Sequence, residues 1–278
     1  MTAPFFLVPP DALGVAVGAT MVVDGAEGRH AATVKRLARG EAVLVGDGRG
    51  RVVEGTVVEV VGKDRIDVEV TAYVEHAAPS PRVVVVQALA KGERGELSVE
   101  LLTEVGVDVV VPWSASRSVA QWRGEKSERG VEKWRSTARE AAKQSRRPFV
   151  PEVRPLASTV ECAALVREAV AGGGTAIVLH EDASLRMASL RVPRGGDVVL
   201  VVGPEGGISD DERAAFESAG ALSARLGPSV LRTSTAGTVA AAVVLASCGR
   251  WDSPERCDQP AQEGAVVTHL GLHSGRNA

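Results

Sequence analysis

The sequence predicts an α/β protein of two units, a small all-β unit followed by a larger, mainly parallel sheet covered by helices. Three observations carry this. A chain of 278 residues can bury two cores at roughly 100 to 200 residues per domain. From Phe5 to about Tyr73 the pattern is one of short β-runs broken by Gly and Asp turns, as in a small barrel or sandwich. Beyond Pro81 strands alternate with helices, which predicts a parallel sheet buried on both faces.

The N-terminal β-runs are residues 20–23, 42–45, 51–61 and 66–72. A helical piece at 29–37 interrupts them, expected to turn Val34 and Leu37 inward and its bases outward. Residues 76–81, with Ala77-Ala78-Pro79-Ser80-Pro81, read as a linker, because prolines and small residues extend neither neighbouring pattern. The expected division is therefore 1–75, linker 76–81, 82–250, and a polar tail 251–278 expected to be mobile.

In the second unit, residues 83–89 form an apolar strand, and 96–105 a helix with Leu97, Leu101 and Val105 on its apolar face. Strand 107–111 and helix 131–144 follow, the helix with Val131, Trp134, Ala138 and Ala141 on one side. Arg135, Arg139, Lys143 and Arg147 recur every four residues, a basic stripe about 100° from the Trp134 face. Helix 160–171 and strands 176–179 and 198–202 come next. Then come helix 210–219, a strand ending in Leu226-Gly227, and a closing helix 235–246 that is Ala- and Val-rich all round. Ser209 followed by Glu212 is a capping box and fixes the start of its helix.

Composition narrows the function classes. No apolar run approaches the roughly 20 residues of a membrane span, and the start lacks a secretory pattern, so the expected location is the cytoplasm. Cys162, Cys248 and Cys257 are too few and too scattered for a disulfide framework or a CxxC site. His269 and His273, four apart around Gly271, have no third ligand, so no metal is expected. The net charge of −3 hides two basic patches. Arg29, Lys35, Arg36, Arg39, Arg49 and Arg51 stand against two acids, and between Arg129 and Arg147 there are seven bases and two acids. Such patches suit phosphates, and equally suit a solvated face.

The most informative stretch is 197–246. A buried strand runs into Gly203-Pro204-Glu205-Gly206-Gly207 and then the capped helix. A glycine turn at the carboxyl end of a parallel strand lets a ligand approach the backbone. It has neither GxGxxG spacing nor a GK[ST] ending, so a dinucleotide or nucleoside triphosphate is not indicated. Downstream, Leu226-Gly227-Pro228-Ser229-Val230-Leu231-Arg232 sets one cation between an apolar loop and a small-residue helix start, aimed at an anionic or electron-rich substrate. Leu179-His180-Glu181 is a third strand end of this kind, without HExxH.

GPEGGIS followed by LGPSVLRTSTA resembles the cofactor signature of the SPOUT superfamily of knotted methyltransferases. Within it, the chain from about Phe5 to Ala246 resembles the family that methylates N3 of a uridine in 16S ribosomal RNA, the family's target being U1498. Family-like pieces include His30 with Lys35-Arg36-Leu37, Asp47-Gly48-Arg49-Gly50, Gln87-Ala88-Leu89 with Lys91-Gly92, Arg117-Ser118-Val119, and Glu140-Ala141-Ala142 with Gln144. One departure is Ser234, where the family commonly has Glu.

The resemblance implies a PUA-like RNA-binding β-barrel, then a SPOUT α/β domain with a deep trefoil knot. It implies S-adenosyl-L-methionine held by Leu179, His180, Gly203, Pro204, Glu205, Gly206, Leu226, Gly227, Leu231 and Thr235, with Arg232 catalytic. It implies RNA contacts from Arg29, Lys35, Arg36, Arg39, Arg49, Arg51, Lys91, Arg117, Arg139 and Gln144, with 16S ribosomal RNA or the 30S subunit as partner. A homodimer through the closing helix is expected, since a helix apolar on every face needs burial on every face. The proton acceptor stays open between His180, Glu205 and solvent. Two other classes stay open as well: a SPOUT enzyme acting on another ribosomal or transfer RNA nucleotide, and a non-catalytic RNA-binding or ribosome-assembly protein.

Overall fold

The computed structural model describes residues 3–252. Its N-terminal unit is a five-stranded sheet of β1 (Phe5–Leu7), β2 (Thr20–Val23), β3 (Ala42–Gly46), β4 (Arg51–Val61) and β5 (Arg65–Glu75), in the order β1-β3-β4-β5-β2. β1 runs parallel to β3 and the other pairs are antiparallel. The β4–β5 hairpin shifts register at Glu54/Gly55 and Val57/Glu59, and such bulges curl a sheet. Phe6, Met21, Val45, Val57 and Val68 form the core beneath it.

Between β2 and β3 the helical piece begins earlier than expected, as α1 (Gly25–Arg29) continuing into a wide turn over His30–Val34. It buries Gly28 and Ala31, and Val34 is 66% exposed, contrary to the expectation that Val34 faces inward. A helix this short rests on its smallest residues. A Gly28 side chain would strike the Asp64 carbonyl at 2.1 Å.

The second unit is a parallel sheet of seven strands. These are β6 (Arg82–Ala88), β7 (Val109–Trp113), β8 (Glu152–Val153), β9 (Thr175–Leu179), β10 (Leu185–Arg186), β11 (Asp197–Val202) and β12 (Leu222–Arg225). Their order is β10-β12-β9-β11-β6-β7-β8. The central strands are mainly apolar because both faces are covered. On one face α2 (Arg94–Val105), α3 (Glu125–Gln144) and α6 (Thr233–Ser247) bury Leu102, Trp134, Ala240 and Val244; on the other, α4 (Thr159–Ala171) and α5 (Asp210–Ser218) bury Cys162, Val166 and Phe216. The strand expected at 107–111 lies two residues later, and the one expected to end at Leu226-Gly227 ends at Arg225.

Two expectations about these helices need correction. In α2 the buried side is Gly95, Ser98, Val99, Leu102 and Thr103, whereas Leu97 is 42% exposed. The helix is wedged between α3 and α6, so small residues take the tight side; a Gly95 side chain would meet the Trp134 ring at 3.2 Å. In α3 the Val131, Trp134, Ala138 and Ala141 face is buried, but the helix starts six residues before the expected position.

Part of the basic stripe of α3 faces the N-terminal unit. Arg139 donates to the Leu7 carbonyl at 2.6 Å, and Lys143, buried, pairs with Glu27 at 2.9 Å. Arg147 lies beyond the end of the helix. It is held by the Thr103 and Val107 carbonyls and by Asp108, which also pairs with Arg250, and burial pushes its guanidinium down to about 10.

The segment after α3 seals the junction. Arg49 bridges Phe149, Gly50 N–H donates to the Pro148 carbonyl at 3.0 Å, and Val150 packs on Phe5, Leu7 and Val52. The mobile-tail expectation lies outside the described residues except at Trp251 and Asp252. No helix among the described residues is long and apolar enough to cross a membrane.

Candidate active site

The carboxyl ends of β9 and β11 and the chain entering α6 converge on a cleft of about 300 Å³. β9 supplies Leu179, His180 and Glu181; β11 and its turn supply Val202, Gly203, Pro204, Glu205, Gly207 and Ile208. Val230, Leu231, Arg232, Thr233 and Ala236 close the third side. A smaller extension of about 100 Å³ continues beneath Leu226, Gly227, Pro228 and Ser229. The position fits the rule that open α/β sheets bind ligands outside their strand carboxyl ends.

The glycine turn is shaped by contact as well as conformation. Gly207 adopts φ +74°, the left-handed region that a side chain disfavours. A side chain on Gly206 would stand 2.9 Å from the Arg117 carbonyl, so Gly206 lies against the loop after β7 and does not line the cleft. Ser209 and Glu212 then cap α5 reciprocally.

Arg232 is exposed at the cleft lip, immediately before the buried start of α6 at Thr233 and Ser234. Its carbonyl accepts from Thr235 and Ala236 N–H, which fixes its backbone as the cap of α6. Thr235 itself sits in the first turn of α6, its hydroxyl 3.2 Å from that carbonyl, and does not line the cleft. Below, Gln87 is buried and donates to the Thr233 carbonyl at 3.4 Å, while its Oε1 has no partner. Ser234 is buried beside them.

Thus Leu179, His180, Gly203, Pro204, Glu205, Leu226, Gly227, Leu231 and Arg232 come together from three segments of chain. Glu205 is tied to the loop after β6, accepting from Lys91 N–H at 3.4 Å and lying 3.6 Å from Arg94. His180 Nδ1 accepts from Asp182 N–H at 3.2 Å. Sequence reasoning missed Glu181, Ile208, Val230 and Arg94. Glu181 adjoins a recognised strand end, but nothing local marks Ile208 or Arg94 as close to it.

The basic residues are dispersed. Lys91 and Arg117 stand on loops beside the glycine turn. Arg29, Lys35, Arg36, Arg39 and Arg49 are exposed on the N-terminal unit, whereas Arg51 is half-buried against Asp47 at 2.7 Å. Arg49 and Arg139 line a groove of about 560 Å³ at the junction of the units, and Gln144 lines a smaller one with His30 and Lys35.

Comparison with known proteins places this arrangement. Residues 78–245 match an RNA methyltransferase domain, and residues 23–71 an RNA methyltransferase PUA domain. Ribosomal RNA small subunit methyltransferase E of Mycobacterium bovis is 46% identical over 245 residues, 87% of this chain and 93% of the relative. A methyltransferase from Legionella pneumophila, solved with bound cofactor SAM, superposes with a TM-score of 0.75 at 27% identity, covering 89% of this chain and 98% of the other. A methyltransferase E structure from Neisseria gonorrhoeae shares the fold with a TM-score of 0.76 at 24% identity, over 88% and 97% of the two chains. With its PUA-like unit and SPOUT-type sheet, the chain belongs to the RNA methyltransferase family of ribosomal RNA small subunit methyltransferase E.

Proposed function

We propose that this protein transfers the methyl group of S-adenosyl-L-methionine to N3 of one uridine in 16S ribosomal RNA, the family target U1498. The observation that carries the reading is the placement of one exposed cation, Arg232, on the lip of a cleft that opens beside the glycine turn and has Leu179, Val202, Ile208 and Leu231 among its walls.

The cleft suits this donor. Its volume of about 300 Å³ falls at the low end of small-molecule sites. Leu179, Val202, Ile208 and Leu231 offer an apolar bed for a purine, and a side chain on Gly227 would meet nothing within 4 Å, so the floor there is open. When bound, the donor supplies an electrophilic methyl on a sulfonium. Among the described residues no cluster of His, Cys, Asp and Glu could hold a metal ion.

The chain's own residues must then make N3 nucleophilic. N3 of uracil carries a proton at neutral pH, so the ring attacks only as its anion. The Arg232 guanidinium facing a uracil carbonyl favours that anion and orients the ring, each pKa unit being worth about 1.4 kcal/mol. His180 already uses Nδ1 as an acceptor, so its remaining nitrogen carries the proton in the neutral ring and donates. That leaves Glu205, Glu181 and solvent to take the N3 proton. An N3 engaged in pairing is out of reach, so the target is single-stranded or swung out.

In this reading residues 1–75 supply RNA affinity through the exposed bases around α1 and Arg49, and residues 82–250 supply catalysis and the knot. Two chains pair through α6. That helix buries Gly237, Ala240, Ala241, Val244 and Leu245 against its own sheet but leaves Val239 41% exposed, with Ala242 and Val243 only half-buried. Transfer of labelled methyl from the donor to 16S RNA in unmodified 30S subunits tests the assignment. No label in the 16S RNA, with label instead on transfer RNA supplied in a parallel reaction or on neither, would overturn it.

A further inference from the structure

Among the described residues two capping boxes differ in one respect. In the box opening α4, Glu161 is exposed, and its Oε2 accepts from the Ser158 N–H at 2.8 Å and hydroxyl at 2.7 Å. In the box opening α5, Glu212 is buried and both oxygens are engaged. Oε2 accepts from the Ser209 N–H at 3.0 Å and hydroxyl at 2.9 Å, while Oε1 accepts from Ser116 N–H at 2.7 Å and the Thr159 hydroxyl at 3.4 Å. A helix cap needs only the bonds to Ser209. The bond to Ser116 ties the loop after β7 to the helix that follows the glycine turn.

That loop carries Arg117. Its carbonyl and Cβ lie 2.9 and 3.0 Å from where a Gly206 side chain would begin, and its Nη1 reaches the Gly206 carbonyl at 3.5 Å. The Ser116 and Ser209 hydroxyls also meet, at 3.3 Å. Burial pushes the Glu212 carboxyl up, but the N–H and hydroxyl donors of Ser116 and Ser209 outweigh it and hold it below its ordinary range. Bonds to an ionised acceptor are roughly twice as strong as neutral ones, so this joint is firm.

We infer that Glu212 is a positioning residue that makes the Arg117 loop and the glycine turn one unit, so that RNA phosphate at Arg117 and the methyl donor at residues 203–207 bind cooperatively. The inference rests on the function proposed above. Cooperativity of this kind is reciprocal: whatever RNA adds to donor affinity, the donor adds to RNA affinity.

The test uses the full chain and S-adenosylhomocysteine, which cannot transfer a methyl, titrated calorimetrically with and without saturating unmodified 30S subunits. The wild type should bind it about fivefold or more tightly with RNA present. Glu212→Gln, whose amide has one accepting oxygen and a donating NH2 in place of the other, should bring that ratio close to one. Ser116→Pro, which removes the N–H and leaves the capping box intact, should do the same, and circular dichroism checks that each variant folds. Glu161→Gln should keep the wild-type ratio. Independent binding of the two ligands by the wild type would overturn the inference and leave the functional reading standing. An equal loss in Glu161→Gln and Glu212→Gln would also overturn it, since Glu212 would then act only as a cap. Failure of the wild type to bind S-adenosylhomocysteine at all would instead overturn the functional reading.

Discussion

Lys143 Nζ lies 2.9 Å from Glu27 Oε1, a pairing that crosses from α3 to α1 and joins the catalytic sheet to the N-terminal unit. The Lys143 side chain is 5% exposed and Glu27 14%, so the bond is largely shielded from water. Glu140 supplies a second carboxylate to Lys143, and Glu27 Oε2 has no partner.

Lys143→Met should therefore destabilise by about 2 kcal/mol, below the 3 to 5 typical of breaking a fully buried pair because Glu27 retains some exposure. Adding Glu27→Leu should recover most of the loss. Urea unfolding of the single and double variants measures this, and additive losses would show that the pair does not couple the two units.

Arg232→Ala should lower kcat by two or more orders of magnitude while leaving donor affinity within a few fold, on the scale seen when a preorganised charge-stabilising group is removed. Single-turnover transfer and donor titration separate the two effects. Equal loss of both would move Arg232 from the uracil to the donor.

Asp47 makes stability depend on acid. Burial pushes its carboxyl up, but the Arg51 guanidinium and the N–H groups of Arg49 and Arg51 outweigh burial and lower it below 3.8. A carboxyl depressed in the folded state contributes stability above its unfolded value, and loses it as pH falls through the folded one. Asp47→Asn should therefore be less stable than the wild type at pH 7, with the difference shrinking below about pH 4. A gap that is constant between pH 7 and pH 3 would show that the charge of Asp47 is not involved.

Much of the fold was legible because its signals are local. A Val-rich run marks β4 along Arg51–Val61, and Ser209 with Glu212 marks the start of α5. The errors arose where a pattern names a face but not its neighbour. Leu97, Leu101 and Val105 share a stripe on α2, yet α3 and α6 press on the other side, where Gly95 and Ser98 permit closer approach. The stripe from Arg135 to Arg147 is real as a spacing, but part of it pairs with Leu7 and Glu27, partners more than 100 residues away. At the site, the glycine turn and Arg232 stood out by composition. The Glu212 to Ser116 bond did not, because a capping box already accounts for a Glu at that place.

Val239→Glu on the open face of α6 should shift a dimer to monomer at micromolar concentration, since it sets a charge on an apolar patch brought against its own copy. Sedimentation of wild type and variant decides it. A wild type that sediments as a monomer of 28.9 kDa and still methylates RNA would show that the site needs no second copy.

Unmodified 30S subunits treated with this protein and S-adenosyl-L-methionine should yield 16S RNA in which nucleoside mass mapping finds one 3-methyluridine, absent with Arg232→Ala. A methyl on ribose, on another base, or on several uridines would contradict the account.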